Sequence, residues 1–219
     1  MFTGIVQGIR KITAVEDLEG RRRLRIQLEE LSERLQQGAS VAVNGVCLTV
    51  VRLEKDWAEF DIIRESLNKS NLGTLKVGDF VDIERACTFG DEVGGHSVTG
   101  HVDCIGILKE VRNSPNNCDL VVNCSKEWMK YLIPKGWIAI DGASLTVVEI
   151  GDNFFSISLI PETITQTVLG IKTKGDTVNL EFDHTTKLIV QTVKNMLPEI
   201  NKQMFAGLNN LKQNNNVDV

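Results

Sequence analysis

The sequence predicts an all-β fold: two similar six-stranded antiparallel Greek-key barrels made by an internal duplication, with a C-terminal α-helix. Three observations carry this. Segment 138–148 reads IAIDGASLTVV and has a twin at 41–51, VAVNGVCLTVV, in which Asn44 answers Asp141 and Thr49 answers Thr146, both 97 positions apart. Further blocks repeat in the same order: MFTGIVQG against SVTGHVDC, with Gly4 matching Gly100; ESLNKSNLG (65–73) against ETITQTVLG (162–170); and KVGDFVDIE (76–84) against TKGDTVNLE (173–181). Each half also divides into six short stretches of high β propensity separated by turn signals, the pattern of a small closed barrel. A period this long marks a duplicated domain, since solenoid units run to about 20–50 residues. The domains are placed at 1–95 and 96–185, with 186–219 a helix and a disordered tail, NNNVDV, at its end.

Taken in order, residues 2–14 and 22–30 alternate apolar and polar and read as two strands joined by a polar turn at 17–20. LSERLQQG (31–38) reads as one helical turn closed by Gly38 at C′. Strands follow at 40–44, 46–53 and 57–63, the first two joined by Asn44-Gly45. Asn-Gly and Asp-Gly between apolar runs are strong hairpin signals, because both residues tolerate positive φ. SLNKSNLG predicts a short helix with Ser66 as N-cap and Gly73 as its stop, and FVDIERA is the closing strand. The second half replays this order. Strands lie near 97–112 and 118–124, and a helical turn follows Ser125. After them come the Asp141-Gly142 hairpin, a strand at 153–160, a short helix capped by Thr163, and a strand at 177–183. From Lys187 the apolar residues Leu188, Ile189, Val193, Met196, Leu197, Ile200, Met204, Leu208 and Leu211 form a helical stripe, which Pro198 should kink or restart. Such a stripe packs on its own domain or against another subunit.

Composition excludes several classes of function. The chain carries 24 basic and 29 acidic side chains and has no long basic run, which argues against nucleic acid as a partner. It lacks an 18-residue apolar stretch and a basic-then-apolar leader, so neither a membrane span nor a signal peptide is expected. Five cysteines without CxxC spacing, beside three histidines, fit reduced thiols in a cytoplasm rather than a disulfide framework or a metal site.

Two duplicated barrels imply two similar pockets, and the informative positions are those where the copies disagree. Cys47 faces Ser144, Ser40 faces Trp137, His101 faces Ile5, Lys135 faces Gly38, and Asp183 faces Ala86. For any one of these pairs taken alone, drift is the better explanation. A cysteine in an apolar strand is often only a small buried hydrophobe. His101 fits a hydrogen-bonded, half-buried histidine, Gly94-Gly95-His96 a bend between barrels, and Asp183 a cap for the next helix. Residue patterns alone stop at a duplicated β-barrel ligand binder.

MFTGIVQG, NGVCLTV, GGHSVTGHVD, KGWIAIDGASLTV and LIPET together resemble riboflavin synthase of the trimeric, duplicated-barrel kind, over roughly residues 1–195. The resemblance implies a transferase that dismutates two molecules of 6,7-dimethyl-8-ribityllumazine into riboflavin and 5-amino-6-ribitylaminouracil by moving a four-carbon unit, with no metal or other cofactor. It also implies a homotrimer held by the C-terminal helix, with each site formed between the N-barrel of one subunit and the C-barrel of a neighbour. Carried across residue by residue, substrate contacts fall on Gly4, Ile5 and Val6, on Cys47, Leu48 and Thr49, and on Asp61, Ile62, Ile63, Arg64, Glu65 and Ser66. In the second half they fall on Gly100, His101 and Val102, on Lys135, on Ser144, Leu145 and Thr146, and on Ser158, Leu159, Ile160, Pro161, Glu162 and Thr163. Backbone groups and the Thr49 and Thr146 hydroxyls would grip the same heterocycle edge in each pocket. Ser66 stands where the family commonly has Thr, and Val46 where a second Cys can occur; neither departure removes a hydroxyl or the matched thiol.

The catalytic set implied is His101, Cys47, Ser40, Ser144 and Asp183. His101 is the natural base, since histidine alone titrates near neutral pH without perturbation. Cys47 would serve as nucleophile or proton carrier, while Ser40, Ser144 and Asp183 would orient substrates or a neighbouring subunit's groups. A non-catalytic antenna protein that binds lumazine or flavin on the same fold is the rival, and such relatives typically lose these reactive side chains. A flavin domain of an electron-transfer protein would need a redox partner domain for which this chain has no room.

Overall fold

A computed structural model describes residues 1–214. The first barrel closes through β1 (Gly8–Leu18), β2 (Arg21–Gln27), β3 (Ser40–Val43), β4 (Val46–Leu53), β5 (Trp57–Ile63) and β6 (Phe80–Arg85), in the spatial order β1-β2-β5-β4-β3-β6. The second repeats that connectivity with β7 (Cys104–Ser114), β8 (Asn117–Asn123), β9 (Trp137–Ile140), β10 (Ala143–Ile150), β11 (Phe154–Leu159) and β12 (Thr177–Phe182). In each, three hairpin-linked strands lie beside one that returns over the barrel end, a Greek key. Short helices α1 (Arg64–Lys69) and α2 (Pro161–Gln166) follow β5 and β11. The two barrels form one compact unit, Met1–His184.

Alternation along the strands fills each barrel. In the first, Ile12, Leu24, Ile26, Val41, Phe60, Ile62 and Val81 are fully buried; in the second, Leu108, Leu120, Val122, Ile138, Phe155 and Phe182 are. Each such side chain contributes about 1.5–3 kcal/mol by leaving water. Residues between them face outward, as where Arg23 forks onto Asp61 at 2.6 and 2.9 Å.

The barrels meet at their twin hairpins. Asn44 and Gly45, like Asp141 and Gly142, all have positive φ, as a two-residue hairpin turn requires. The two turns press backbone to backbone, so a Cβ on Gly45 would lie 2.6 Å from the Gly142 nitrogen. Beside them Phe2, Val98, Ala42 and Ala139 make a small buried apolar cluster. A buried polar network completes the contact. Asn179 Nδ2 donates to the Asn44 carbonyl at 2.8 Å, Asn71 Nδ2 donates to Asp141 Oδ1 at 3.1 Å, and Val168 N donates to Asp82 Oδ1 at 2.7 Å. Burial pushes the Asp82 carboxyl well above the ordinary range, and the nearby Asp141 charge adds to this. Asp141 is raised by burial too, opposed mainly by the Lys172 ammonium at 3.4 Å.

Several local expectations need correction. The strands expected from residues 2 and 97 begin only at Gly8 and Cys104. The preceding residues instead form two arms, bridged to each other by Phe2 and Val98 through a pair of hydrogen bonds of 2.8 and 3.0 Å. Their alternation looks strand-like because they too cross between wet and buried surfaces. Ser66 and Thr163 lie inside α1 and α2, whose N-caps are Ile63 and Ile160 without side-chain caps. The strands run straight into these helices, and in α2 Pro161 supplies the fixed φ of a first helical position. The helical turn after β2 is a 3₁₀ turn at Glu29–Ser32, so Gly38 does not close it.

From Thr185 onward the chain is a separate unit. The helix α3 (His184–Asn214) continues through Pro198 as one element, so no second helix starts there. Leu188, Ile189, Val193, Met196, Leu197 and Ile200 are exposed in the single chain. The expected disorder of NNNVDV falls, for 215–219, outside the described residues. Among the described residues no helix is long and apolar enough to cross a membrane.

Candidate active site

A cavity of about 380 Å³ opens beside β4 and α1, lined by Val46, Cys47, Ile63, Glu65, Ser66, Lys69 and Ser70 and closed by Gly100, His101 and Val102. A second, of about 250 Å³, opens beside β10 and α2; Ala143, Ser144, Ile160, Glu162, Thr163, Gln166 and Thr167 line it, and Gly4, Ile5 and Val6 close it. These are one site made twice. Every barrel residue of the second cavity lies 97 positions after its twin in the first, and the arm residues are offset by 96. Each pocket is thus completed by the arm of the other repeat.

Two buried carboxylates hold the arms. Glu84 at the end of β6 accepts from Thr3 N at 2.6 Å, Thr3 Oγ1 at 2.9 Å and Gly4 N at 3.1 Å. Glu181 on β12 accepts from Thr99 N and Oγ1, both at 2.7 Å, and Gly100 N at 2.9 Å. Burial raises the Glu84 carboxyl, against the pull of these donors. So anchored, each arm docks on the other barrel: Ser144 N donates to the Gly4 carbonyl at 2.8 Å, and Cys47 N to the Gly100 carbonyl at 2.9 Å. Both glycines have positive φ, and a Cβ on either would lie 2.5 Å from the Cβ of the residue it docks on. Neither conformation nor space allows a side chain there.

The pockets bring together Cys47, Ile63, Glu65, Ser66, Gly100, His101 and Val102 in one, and Gly4, Ile5, Val6, Ser144, Ile160, Glu162 and Thr163 in the other. Other expected contacts are placed differently. Leu48, Ile62, Leu145 and Leu159 point into the barrel cores. Thr49 and Thr146 are exposed two residues further along β4 and β10 from the pockets, and Arg64, Lys135 and Pro161 are exposed as well. Asp61 is engaged by Arg23, whose hydrogen bond holds its carboxyl below the usual range. Asn117 Nδ2 donates to Ser158 Oγ at 3.3 Å on the outer face. Ser40 is half-buried at the start of β3, opposite Thr49.

His96 is a candidate that sequence reasoning missed. Expected only as part of an inter-barrel bend, it is buried, with Nδ1 2.7 Å from Ser144 Oγ and its ring stacked on Trp137 at 5.6 Å. Burial holds its imidazole below the ordinary value, against the opposing pull of the Asp183 and Glu181 carboxylates. Ser144, a candidate in the sequence, therefore meets His96, and the Asp183 carboxylate acts on the same imidazole through its charge. With an offset of 96, the twin of His96 would precede Met1, so comparing the copies could not single it out. Lys69 and Gln166 were also missed, although each lies at the middle of a repeated block and ends its short helix. The Glu84 and Glu181 clamps were legible in principle, since both copies of the KVGDFVDIE block end on Glu.

Two ligand-sized pockets, duplicated with their barrels and each finished by the other repeat, define a paired small-molecule-binding β-barrel protein. The Lumazine binding domain family matches this chain twice, at residues 3–86 and 99–183. Riboflavin synthase from Escherichia coli K12 is 42% identical over 199 residues, covering 90% of this chain and 93% of that one. The chain belongs to the riboflavin synthase family. Among solved structures it is similar to LumP complexed with riboflavin (TM-score 0.79, 28% identical, covering 84% of this chain and 100% of that one). LumP complexed with 6,7-dimethyl-8-(1'-D-ribityl) lumazine and with flavin mononucleotide, each at a TM-score of 0.77, are 27% and 26% identical over the same shares.

Proposed function

We infer that this protein catalyses the riboflavin synthase reaction: one molecule of 6,7-dimethyl-8-ribityllumazine donates a four-carbon unit to a second, giving 5-amino-6-ribitylaminouracil and riboflavin. The observation that carries it is the pair of twin pockets, because a dismutation needs two places for two copies of one substrate. Their inequality fits as well. One molecule must lose a proton from its 7-methyl group while the other accepts a nucleophile at C7, so identical pockets would not separate the roles. His101 and Cys47 belong to the first pocket only, Ser144 with His96 behind it to the second. Held in near-attack geometry, two substrates gain most of what an entropy trap offers. In this scheme His101 takes the proton, and His96 fixes the Ser144 hydroxyl toward the bound heterocycle.

The active assembly is a homotrimer in the cytoplasm, with the N-barrel pocket of one subunit facing the C-barrel pocket of the next. The exposed apolar residues Leu188 to Ile200 on α3 are the natural subunit contact. Deleting residues from Lys187 onward should give monomers by light scattering; a truncated chain that stays trimeric refutes that role. The activity itself is tested by adding the lumazine to purified protein and following riboflavin fluorescence. A protein that binds the lumazine but forms no riboflavin is an antenna protein instead, as the LumP structures would suggest.

A further inference from the structure

The twin pockets differ in charge where α1 and α2 line them. The first carries Glu65, Ser66 and Lys69; the second carries Glu162, Thr163 and Gln166. Each has the same glutamate, so the difference is one ammonium group. Just outside, Arg64 stands where the second pocket has Pro161, so the sequence of α1, RESLNK, sums to +1 and that of α2, PETITQ, to −1. His101, facing Ile5, gives the first pocket an imidazole that the second lacks.

Lys69 is placed to use this. It ends α1, its side chain is 57% exposed, and it pairs with Glu65 one helical turn back, at 3.2 Å. An exposed i,i+4 pair is worth a few tenths of a kcal/mol, so the ammonium can leave it for a stronger anion. A phosphate dianion offers about twice the charge of a carboxylate and more acceptor oxygens. In the second pocket the same dianion would meet Glu162 with an uncharged Gln166 beside it.

We propose that the N-barrel pocket, and not its twin, accepts a flavin bearing a 5′-phosphate on its ribityl chain. A phosphorylated flavin then fills one pocket per chain and blocks turnover by displacing one of the two substrates. This holds only if both pockets take ribityl-bearing heterocycles, the function inferred above.

The test compares riboflavin with flavin mononucleotide on the full-length protein, by calorimetric titration and by inhibition of riboflavin formation. Riboflavin should bind at two equivalents per chain and flavin mononucleotide at one, with the second equivalent weaker by at least about tenfold, as a dianion near one added cation implies. Lys69→Gln should lower the affinity for flavin mononucleotide relative to riboflavin by about tenfold, Lys69→Arg should preserve the ratio, and Gln166→Lys should create a second strong equivalent. The ratio should also fall with added salt, which a purely structural role for Lys69 would not produce. Fewer than two riboflavin equivalents would overturn the two-pocket function itself. Two riboflavin equivalents with equally tight flavin mononucleotide at both, or a ratio unmoved by Lys69→Gln and Gln166→Lys, would overturn the charge-sorting proposal alone.

Discussion

Gly100→Ala tests whether the exchanged arms build the pockets. Gly100 has φ +79°, and a left-handed conformation costs an alanine about 1–2 kcal/mol. The new Cβ would lie 2.5 Å from Cys47 Cβ and 2.8 Å from the Cys47 nitrogen. Crowding of that kind costs about 1–3 kcal/mol, and relieving it by lifting the arm forfeits the hydrogen bond from Cys47 N to the Gly100 carbonyl, worth about 0.5–1.5 kcal/mol. Left in place, the strain is about 2–5 kcal/mol, a large part of a domain's usual 5–15 kcal/mol. The cheapest relief is for residues 100–102 to move off β4, which opens the first pocket and leaves the second intact. Equilibrium dialysis against the lumazine should then find one equivalent per chain where the parent binds two. Turnover should drop by about 100-fold or more, since a displacement near 1 Å suffices for that. Gly4→Ala should mirror this in the other pocket, where its Cβ would lie 2.5 Å from Ser144 Cβ. A Gly100→Ala protein with two native-affinity equivalents and an unchanged urea midpoint would refute the role of the arms.

Other substitutions probe the chemistry and the barrel interface. His101→Gln should lower turnover by about 10²–10⁴, the usual yield of general acid–base help, and Cys47→Ser by less, because a hydroxyl keeps the hydrogen bonding. Steady-state kinetics showing near-native turnover for His101→Gln would remove that histidine from the proton transfer. His96→Ala frees the Ser144 hydroxyl and leaves a cavity against Trp137; turnover should fall while Ser144→Ala alone accounts for most of the loss, and a double variant no worse than His96→Ala would show them acting as a unit. For the interface, Asp82, Asp141 and Glu84 all have carboxyls raised by folding, so the folded chain holds more protons than the unfolded one. Their contribution is fully present below the unfolded carboxylate range and is lost as pH rises through the folded values. The urea midpoint should therefore decline as pH rises above the ordinary carboxylate range, and Asp82→Asn should flatten that decline; an unaltered slope would mean Asp82 is not the titrating group.

Much of this molecule is written in the order of its residues. Asn44-Gly45 and Asp141-Gly142 specify tight hairpins locally, and period-2 burial decides which strand face enters a barrel, so the duplicated barrels and their strand content followed from short-range rules. The repeat also exposed Cys47 against Ser144 and His101 against Ile5, because a fixed offset sets equivalent positions side by side. Helix starts were less legible: Ser66 and Thr163 have good capping chemistry, but β5 and β11 deliver the chain in an extended conformation that begins the turn three residues earlier. What only the tertiary structure decided is the exchange between repeats. Alternation cannot tell a strand in its own barrel from an arm crossing to the next, since both cover one apolar face. The difference lies in Glu84 and Glu181, whose buried carboxylates need donors, and the nearest backbone N–H groups belong to those arms. The same holds for His96, a histidine in a glycine-rich bend until Ser144 and Trp137, each more than 40 residues away, close around it.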